Sequence, residues 1–356
     1  MPERPARATG RPLAGITVLD LTRMLPGAAL VRLLLGLGAR VIKVEDPAGG
    51  DLLRHMPPLV DGVGAGFAAF FAGAESICLD LRTARDAARL RELLGSADVL
   101  VESFRPGTLA RWGLDPAALV EANPRLVVCS LPAYSSAGSM AGKVGHDLNF
   151  TALSGLLEAI AQDGVPPVQL ADVTGGLLAC SAILAALFER SRTGRGQHLE
   201  QPLMAGPLAF MTWLYADAAA GGQGAPLELL AGQCPAYRVY ACAGGDKLAL
   251  GAIEPKFWQQ FTAIAGVPEI APFGLDSGPA GQRAAGILAE RLASRPRSHR
   301  LAEAAVADLP VTPVNSLAAA LADPAVEPAD ALAIGPWRAP EAGPPALGQD
   351  TARILS

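Results

Sequence analysis

The feature that most constrains this chain is a short apolar strand, a helix and a second short apolar strand in quick succession. Ile16-Thr17-Val18-Leu19-Asp20-Leu21 reads as a β-strand. Pro26-Gly27 opens a segment with apolar residues at Leu30, Leu33, Leu34 and Leu37, the spacing of one helix face. Gly38 ends it, and Arg40-Val41-Ile42-Lys43-Val44-Glu45 reads as the next strand. A β-α-β unit with such brief connections argues for a parallel sheet.

The pattern repeats. Residues 76–80 read as a strand, 84–94 as an amphipathic helix and 99–102 as a strand. Arg105-Pro106-Gly107 leads into a helix through Leu109, and 126–131 form another strand. A helix over about 174–190 runs to the turn Thr193-Gly194-Arg195-Gly196. The Ala/Gly-rich residues 216–225 read as a linker. Beyond them, 237–240 and 247–250 read as paired strands around Gly244-Gly245. Helices rich in Ala, Leu and Arg follow to about residue 305, and the Pro/Gly-rich last stretch is expected to wrap over another surface. No internal repeat is present.

Composition narrows the class. The chain has 356 residues, of which 51% are apolar, 18% charged and 5% aromatic. A large core is therefore available, filled by Leu, Ala, Val and Gly. A net charge of -5 argues against nucleic acid as the main partner. The five cysteines (Cys78, Cys129, Cys180, Cys234, Cys242) are scattered and form no C-x-x-C pair. That usage fits free thiols in a reducing, cytoplasmic setting. No secretion signal is seen in the polar start. Two charge-free stretches, 173–188 and 201–216, fall short of the roughly 18 residues a membrane span needs, so no membrane partner is expected.

Three ionisable residues lie in short apolar or Gly-containing settings: His146 in Gly145-His146-Asp147-Leu148, Asp172 in Leu170-Ala171-Asp172-Val173, and Glu254 in Gly251-Ala252-Ile253-Glu254-Pro255. Desolvation there brings such groups toward neutrality, which suits moving a proton on and off carbon. The plainer readings stand beside this: a structural histidine, an N-cap aspartate before a long apolar helix, and a glutamate that starts a helix before proline. For Asp172 the two roles are compatible, since amides at a helix start can meet an oxyanion. Lys43, Arg54 and Arg105 lie at strand ends or in the loops after them, where open α/β sheets bind ligands, and are candidate phosphate contacts; the plainer reading of each alone is a solvated charge. Gly36-Leu37-Gly38-Ala39 follows a helix and is no dinucleotide fingerprint. There is no Walker loop and no G-x-S-x-G elbow, and His55 and His299 have no metal-ligand spacing, so no metal is expected.

Several segments carry a resemblance. They are Leu13-Ala14-Gly15-Ile16-Thr17-Val18-Leu19-Asp20, Leu37-Gly38-Ala39-Arg40-Val41-Ile42-Lys43-Val44-Glu45, Glu102-Ser103-Phe104-Arg105-Pro106-Gly107, Gly194-Arg195-Gly196-Gln197, Val311-Thr312-Pro313-Val314 and Pro345-Ala346-Leu347-Gly348. Nearly end to end, the chain resembles the family III CoA-transferase superfamily (CaiB/BaiF type), and within it the α-methylacyl-CoA racemases. Gly145-His146-Asp147 and Gly251 to Pro255 resemble the racemase signatures; transferases usually carry an aromatic at the histidine.

The resemblance implies an α/β fold: a Rossmann-like parallel sheet in a large domain (12–200 and 320–356), a linker (201–225) and a smaller α+β domain (226–319). It implies an interlocked homodimer whose active site is shared between subunits. His146 and Asp172 would flank the α-carbon of a 2-methylacyl-CoA or 2-arylacyl-CoA. Glu254, supplied by the partner chain, would hold His146 in its tautomer and orientation. Lys43, Arg54, Arg105 and Gly145 are grouped as CoA-binding residues. No cofactor is implied, CoA being part of the acyl-CoA thioester substrate. The alternatives are a CoA-transferase acting through an aspartyl anhydride at Asp172, and a non-catalytic acyl-CoA-binding relative. The chain departs from the family at Gly73-Ala74-Glu75-Ser76, which lacks a cation expected near CoA, and at Ala133-Tyr134-Ser135, where two glycines are replaced. A third departure is Gln201-Pro202, where an Asp/Ser pair is usual.

Overall fold

The computed structural model describes residues 11–160, 164–222, 229–326 and 343–356. These divide into two compact units, one of residues up to 211 with 343–356, the other of 212–326.

In chain order the first unit carries β1 (Thr17–Leu21), α1 (Met24–Gly36), β2 (Arg40–Glu45), the hairpin β3 (Leu59–Val60) and β4 (Val63–Gly64), α2 (Ala65–Phe71) and β5 (Glu75–Cys78). It continues with α3 (Ala84–Leu94), β6 (Val99–Glu102), α4 (Thr108–Arg111), α5 (Pro116–Ala122), β7 (Val127–Ser130), α6 (Asp147–Leu153), α7 (Leu156–Ile160), α8 (Leu170–Thr193) and β8 (His198–Glu200). Six strands form one parallel sheet in the order β5-β2-β1-β6-β7-β8. The order reverses between β1 and β6, and ligands of open parallel sheets bind at the carboxyl side of such a switch point.

Both faces of the sheet are covered, which is why its strands read as unbroken apolar runs. Successive side chains point to opposite faces. Val18, Val41, Val99, Val101 and Val127 pack with Leu30, Leu34, Phe67, Phe71, Ala179 and Ile183 from α1, α2 and α8. Leu19, Ile42, Ile77, Leu100 and Val128 pack with Leu90, Leu94, Leu109 and Leu119 from α3, α4 and α5.

The central helix α8 is 24 residues long and, by length and composition, apolar enough to cross a membrane. Its Ala171, Gly175, Gly176, Ala179, Cys180, Ile183 and Ala186 are buried within the fold. Gly176 allows a close approach to α1: a Cβ there would fall 2.6 Å from the Pro26 carbonyl oxygen. α8 begins at Leu170, earlier than the expected 174, with Gln169 at the N-cap, so Asp172 sits inside the first turn rather than capping it.

Helix α9 (Ala205–Ala219) occupies most of the segment 201–225 expected as a linker; residues 223–225 lie outside those described. Pro207 is tolerated because it stands in the first turn, where no backbone donor is needed, and the run from Leu208 to Tyr215 is apolar enough to sustain a helix.

The second unit holds β9 (Tyr237–Ala241), β10 (Lys247–Gly251), α10 (Pro255–Ala265), α11 (Pro279–Ala293), α12 (Arg297–Val306), β11 (Val311–Pro313) and α13 (Leu317–Ala322). Its antiparallel sheet runs β11-β10-β9. Tyr240, Leu248, Leu250, Trp258, Phe261, Leu288 and Leu292 form its core.

The segment from Pro345 returns to the first unit and ends in α14 (Thr351–Ile354). It covers the edge strand β5. Ser76 N–H donates to Asp350 Oδ2 at 3.0 Å, Cys78 N–H to Thr351 Oγ1 at 3.0 Å, and Gly348 N–H to Ser76 Oγ at 3.0 Å. Glu75 faces this clasp, paired with Arg40 at 2.7 Å and Arg353 at 2.6 Å.

Candidate active site

The expected pair His146 and Asp172 come together through a third residue, Asp147. His146 is the N-cap of α6, and its N–H donates to Asn149 Oδ1 at 3.0 Å. Gly145 before it has no room for a side chain: a Cβ would lie 2.6 Å from Phe150 and 2.8 Å from the Tyr134 hydroxyl, whose rings meet edge to face. Tyr134, in the departure segment, is thus the wall that holds the histidine turn.

Asp147 opens α6, and its Oδ1 accepts the Asp172 N–H at 3.0 Å. One carboxylate therefore satisfies an orphan donor at the start of α8 from a neighbouring helix. Burial, and then the adjacent Asp147 charge, raise Asp172 from the ordinary carboxylate range to about 6, while His146 pulls the other way. A carboxylate poised there accepts and returns protons near neutral pH. His146 is exposed, set beside exposed Val144 and Leu148. Asp147 was given no role of its own from the sequence, although it stands in the Gly145-His146-Asp147 segment that carries the resemblance.

Glu254 lies in the second unit. It is the N-cap of α10, exposed, with Pro255 at the first helical position, and its carbonyl accepts the N–H groups of Phe257 and Trp258.

A separate cleft of about 320 Å³ opens at the carboxyl ends of β1, β2 and β5, beside the switch point. Arg23, Asp46, Arg82, Phe104 and Trp112 are among its walls. Lys43 and Arg54, expected as phosphate contacts, are spent within the protein. Lys43 Nζ donates to Asp20 at 3.1 Å and to the Thr22 carbonyl at 3.0 Å, and pairs with Asp51 at 3.1 Å, which uses its three donors. Arg54 grips Glu45 with two bonds of 2.8 and 2.6 Å, donates to the Pro345 carbonyl at 2.9 Å and stacks over Phe67. Buried charges need such partners. Arg105 is exposed and has no ion pair among the described residues; it lines a second cleft.

Besides the internally paired Lys43, the cations that line the first cleft are Arg23, just after β1, and Arg82, just after β5. Arg82 is held by Asp80 at 2.6 Å and Asp46 at 3.5 Å, and Arg23 lies over the Phe104 ring. Their place directly beyond strand ends was legible; which strand ends meet was not. Glu75 does not line this cleft, and its charge is neutralised by Arg40 of β2 and Arg353 of the clasp.

Among the described residues no cluster of three or more His, Cys, Asp and Glu could hold a metal ion. All five cysteines are free, and burial pushes the Cys129 thiol up to about 12 and Cys180 to about 11.

A parallel six-stranded sheet, a cation-bearing cleft at its switch point and a near-neutral aspartate beside a histidine define a Rossmann-like α/β protein equipped for acid–base chemistry. The model of CoA-transferase family III matches residues 13–351, and the chain belongs to that family. Human alpha-methylacyl-CoA racemase is 35% identical over 254 residues, 69% of this chain and 63% of that protein, so the match spans less than two thirds of this relative. The acetyl-CoA:oxalate CoA-transferase of Acetobacter aceti is 33% identical over 283 residues, 75% of this chain and 70% of that one. A CaiB/BaiF family protein from Brucella suis, solved by crystallography, superposes with a TM-score of 0.80 at 28% identity over 97% of this chain and 99% of its own. Racemases and CoA-transferases thus both stand among the relatives.

Proposed function

We propose that the protein is a racemase of 2-methylacyl-CoA or 2-arylacyl-CoA thioesters. The observation that carries this is Asp172, raised to about 6 and tied through Asp147 to the N-cap His146. In the reaction one of the two takes the α-proton, leaving its electron pair in an enolate. The other delivers a proton to the opposite face, and the C–H bond reforms inverted. Backbone amides near Asp172 are expected to meet the enolate oxygen; the Asp172 N–H itself is donated to Asp147, so that role falls to its neighbours at the helix start.

The cleft beside the switch point takes the CoA nucleotide, with Arg23 and Arg82 toward its phosphates and Phe104 and Trp112 as apolar walls. CoA enters as part of the substrate, with no metal or redox cofactor. The working form is a homodimer in the cytoplasm, with the partner subunit's Glu254 orienting His146. Exposed apolar side chains on α8 and α9, including Leu177, Phe188, Phe210 and Trp213, supply a surface for that association.

The test is α-proton exchange of a single enantiomer of a 2-methylacyl-CoA in D2O, followed by NMR without an acceptor acid. Deuterium uptake with loss of optical purity is expected. The relatives that are transferases give the second reading, in which Asp172 attacks the acyl carbon, the C–S bond breaks with CoA leaving as its thiolate, and an aspartyl anhydride remains. Absence of exchange, with hydroxylamine trapping at Asp172, would establish that one instead.

A further inference from the structure

The loop 103–107, between β6 and α4, is a common wall. Its Phe104 lines the nucleotide cleft and also a second cleft of about 210 Å³ at the carboxyl ends of β6, β7 and β8. The loop is held from both sides. Toward the nucleotide cleft, Arg23 N–H donates to Ser103 Oγ at 3.2 Å, and Phe104 meets Trp112 edge to face at 5.1 Å. From the other side Glu102, the last residue of β6, accepts the Phe104 N–H at 2.8 Å.

Glu102 is only 7% exposed, and no cation pairs with it among the described residues. Ser130, the last residue of β7, stands opposite Glu102 in the sheet and favours its ionised form, and its Oγ lies 2.9 Å from His198 Nε2 at the start of β8. His198 is exposed and lines the second cleft. A row of neighbouring polar groups therefore leads from the surface, through His198 and Ser130, to a buried carboxyl and on to the backbone of Phe104. Nothing in the proton-transfer chemistry at Asp172 uses these groups.

We propose that Glu102 is a positioning residue for the CoA nucleotide, fixing Phe104 as a cleft wall and exchanging its own proton with solvent through Ser130 and His198. This rests on the reading of the larger cleft as the nucleotide site. An ionised Glu102 holds the Phe104 N–H with a charge-assisted bond; a protonated one holds it more weakly. Burial lifts the Glu102 carboxyl above its usual range, against the hydrogen bonds from Ser130 and Phe104. The other titratable and charged groups facing it are Arg105 from the loop, Asp115 at the start of α5, the Cys129 thiol on β7, and His198 and Glu200 on β8. Burial keeps His198 below the ordinary imidazole range; burial pushes Glu200 up, but hydrogen bonding from Ser136 outweighs it and keeps Glu200 below the ordinary carboxylate range. Nucleotide affinity is therefore full while Glu102 is ionised and weakens as pH falls through its raised value.

The experiment is calorimetric titration of CoA into the full chain between about pH 5 and about pH 8, with Glu102→Gln, Ser130→Ala and Arg82→Ala. Glu102→Gln, similar in size, should bind CoA about tenfold more weakly at the upper pH. It should retain only the pH dependence of the ligand's own phosphates and raise KM while kcat holds. Ser130→Ala removes one bond to the ionised carboxyl, so the midpoint of the wild-type pH dependence should move up. A Glu102→Gln protein with wild-type affinity and wild-type pH profile would overturn the inference, provided Arg82→Ala weakens CoA. If Arg82→Ala leaves CoA binding intact, the nucleotide reading of the cleft falls and takes the inference with it.

Discussion

At Asp172 the requirements of chemistry and of folding oppose each other. A carboxylate raised from 3.8 to about 6 is one whose charge the folded state disfavours. The folded protein holds its proton over a range where the unfolded chain has released it. Stability is therefore lost as pH rises from about 4 through about 6, and the loss persists at neutrality. Asp172→Asn removes the charge and keeps the backbone bond to Asp147. It should abolish turnover yet stabilise the protein at pH 7 by roughly 1–3 kcal/mol, after allowance for the solvent-exposed part of the group. Denaturation at pH 4 and pH 7 checks this, since the gain should vanish at the lower pH. The sequence displayed Asp172 and His146 through their apolar surroundings. It did not display Asp147 as their link, because that bond joins residues 25 apart on two helices. The internal partners of Lys43 and Arg54 were hidden for the same reason: a charge is visible in a sequence, whereas the buried carboxylate that satisfies it is a property of the fold.

Among the elements, β2, β6 and α3 have the bounds their patterns gave, because the sheet is buried on both faces and α3 has a clean apolar stripe. Where tertiary contact decides, the pattern was silent. The first turn of α8 is set by Asp147 reaching across, and α9 continues through residues whose Ala and Gly content suggested a break. Contact also distinguishes one glycine from another. Gly176→Ala would press a methyl group against the Pro26 carbonyl and Leu30 N of α1, at 2.6 and 3.1 Å, and should cost about 1–3 kcal/mol. Gly286→Ala, on an exposed turn of α11 with open space around it, should stabilise by roughly 0.5–1 kcal/mol. Thermal melts of the two variants should move in opposite directions.

For the molecule as a whole, the proposed site takes His146 and Asp172 from one unit and Glu254 from the other. Mixing two inactive variants tests whether they come from different chains. If the site is shared between subunits, His146→Ala and Glu254→Ala, co-refolded in equal amounts, should regain about a quarter of wild-type activity. Half the dimers would be mixed and one of their two sites intact. His146→Ala with Asp172→Asn should regain none, since both residues lie in the same unit. Recovery in neither mixture would place Glu254 outside the site or within the same chain. The clasp over β5 carries a consequence for the order of synthesis. Its bonds join Ser76 to residues 272 and 274 positions later, and Arg54 to one 291 positions later. During translation the second unit has left the ribosome before the clasp is made, while β5 still exposes an open edge to any neighbouring nascent chain. The interval between residue 78 and residue 351 is thus the period in which this protein is most prone to pair wrongly.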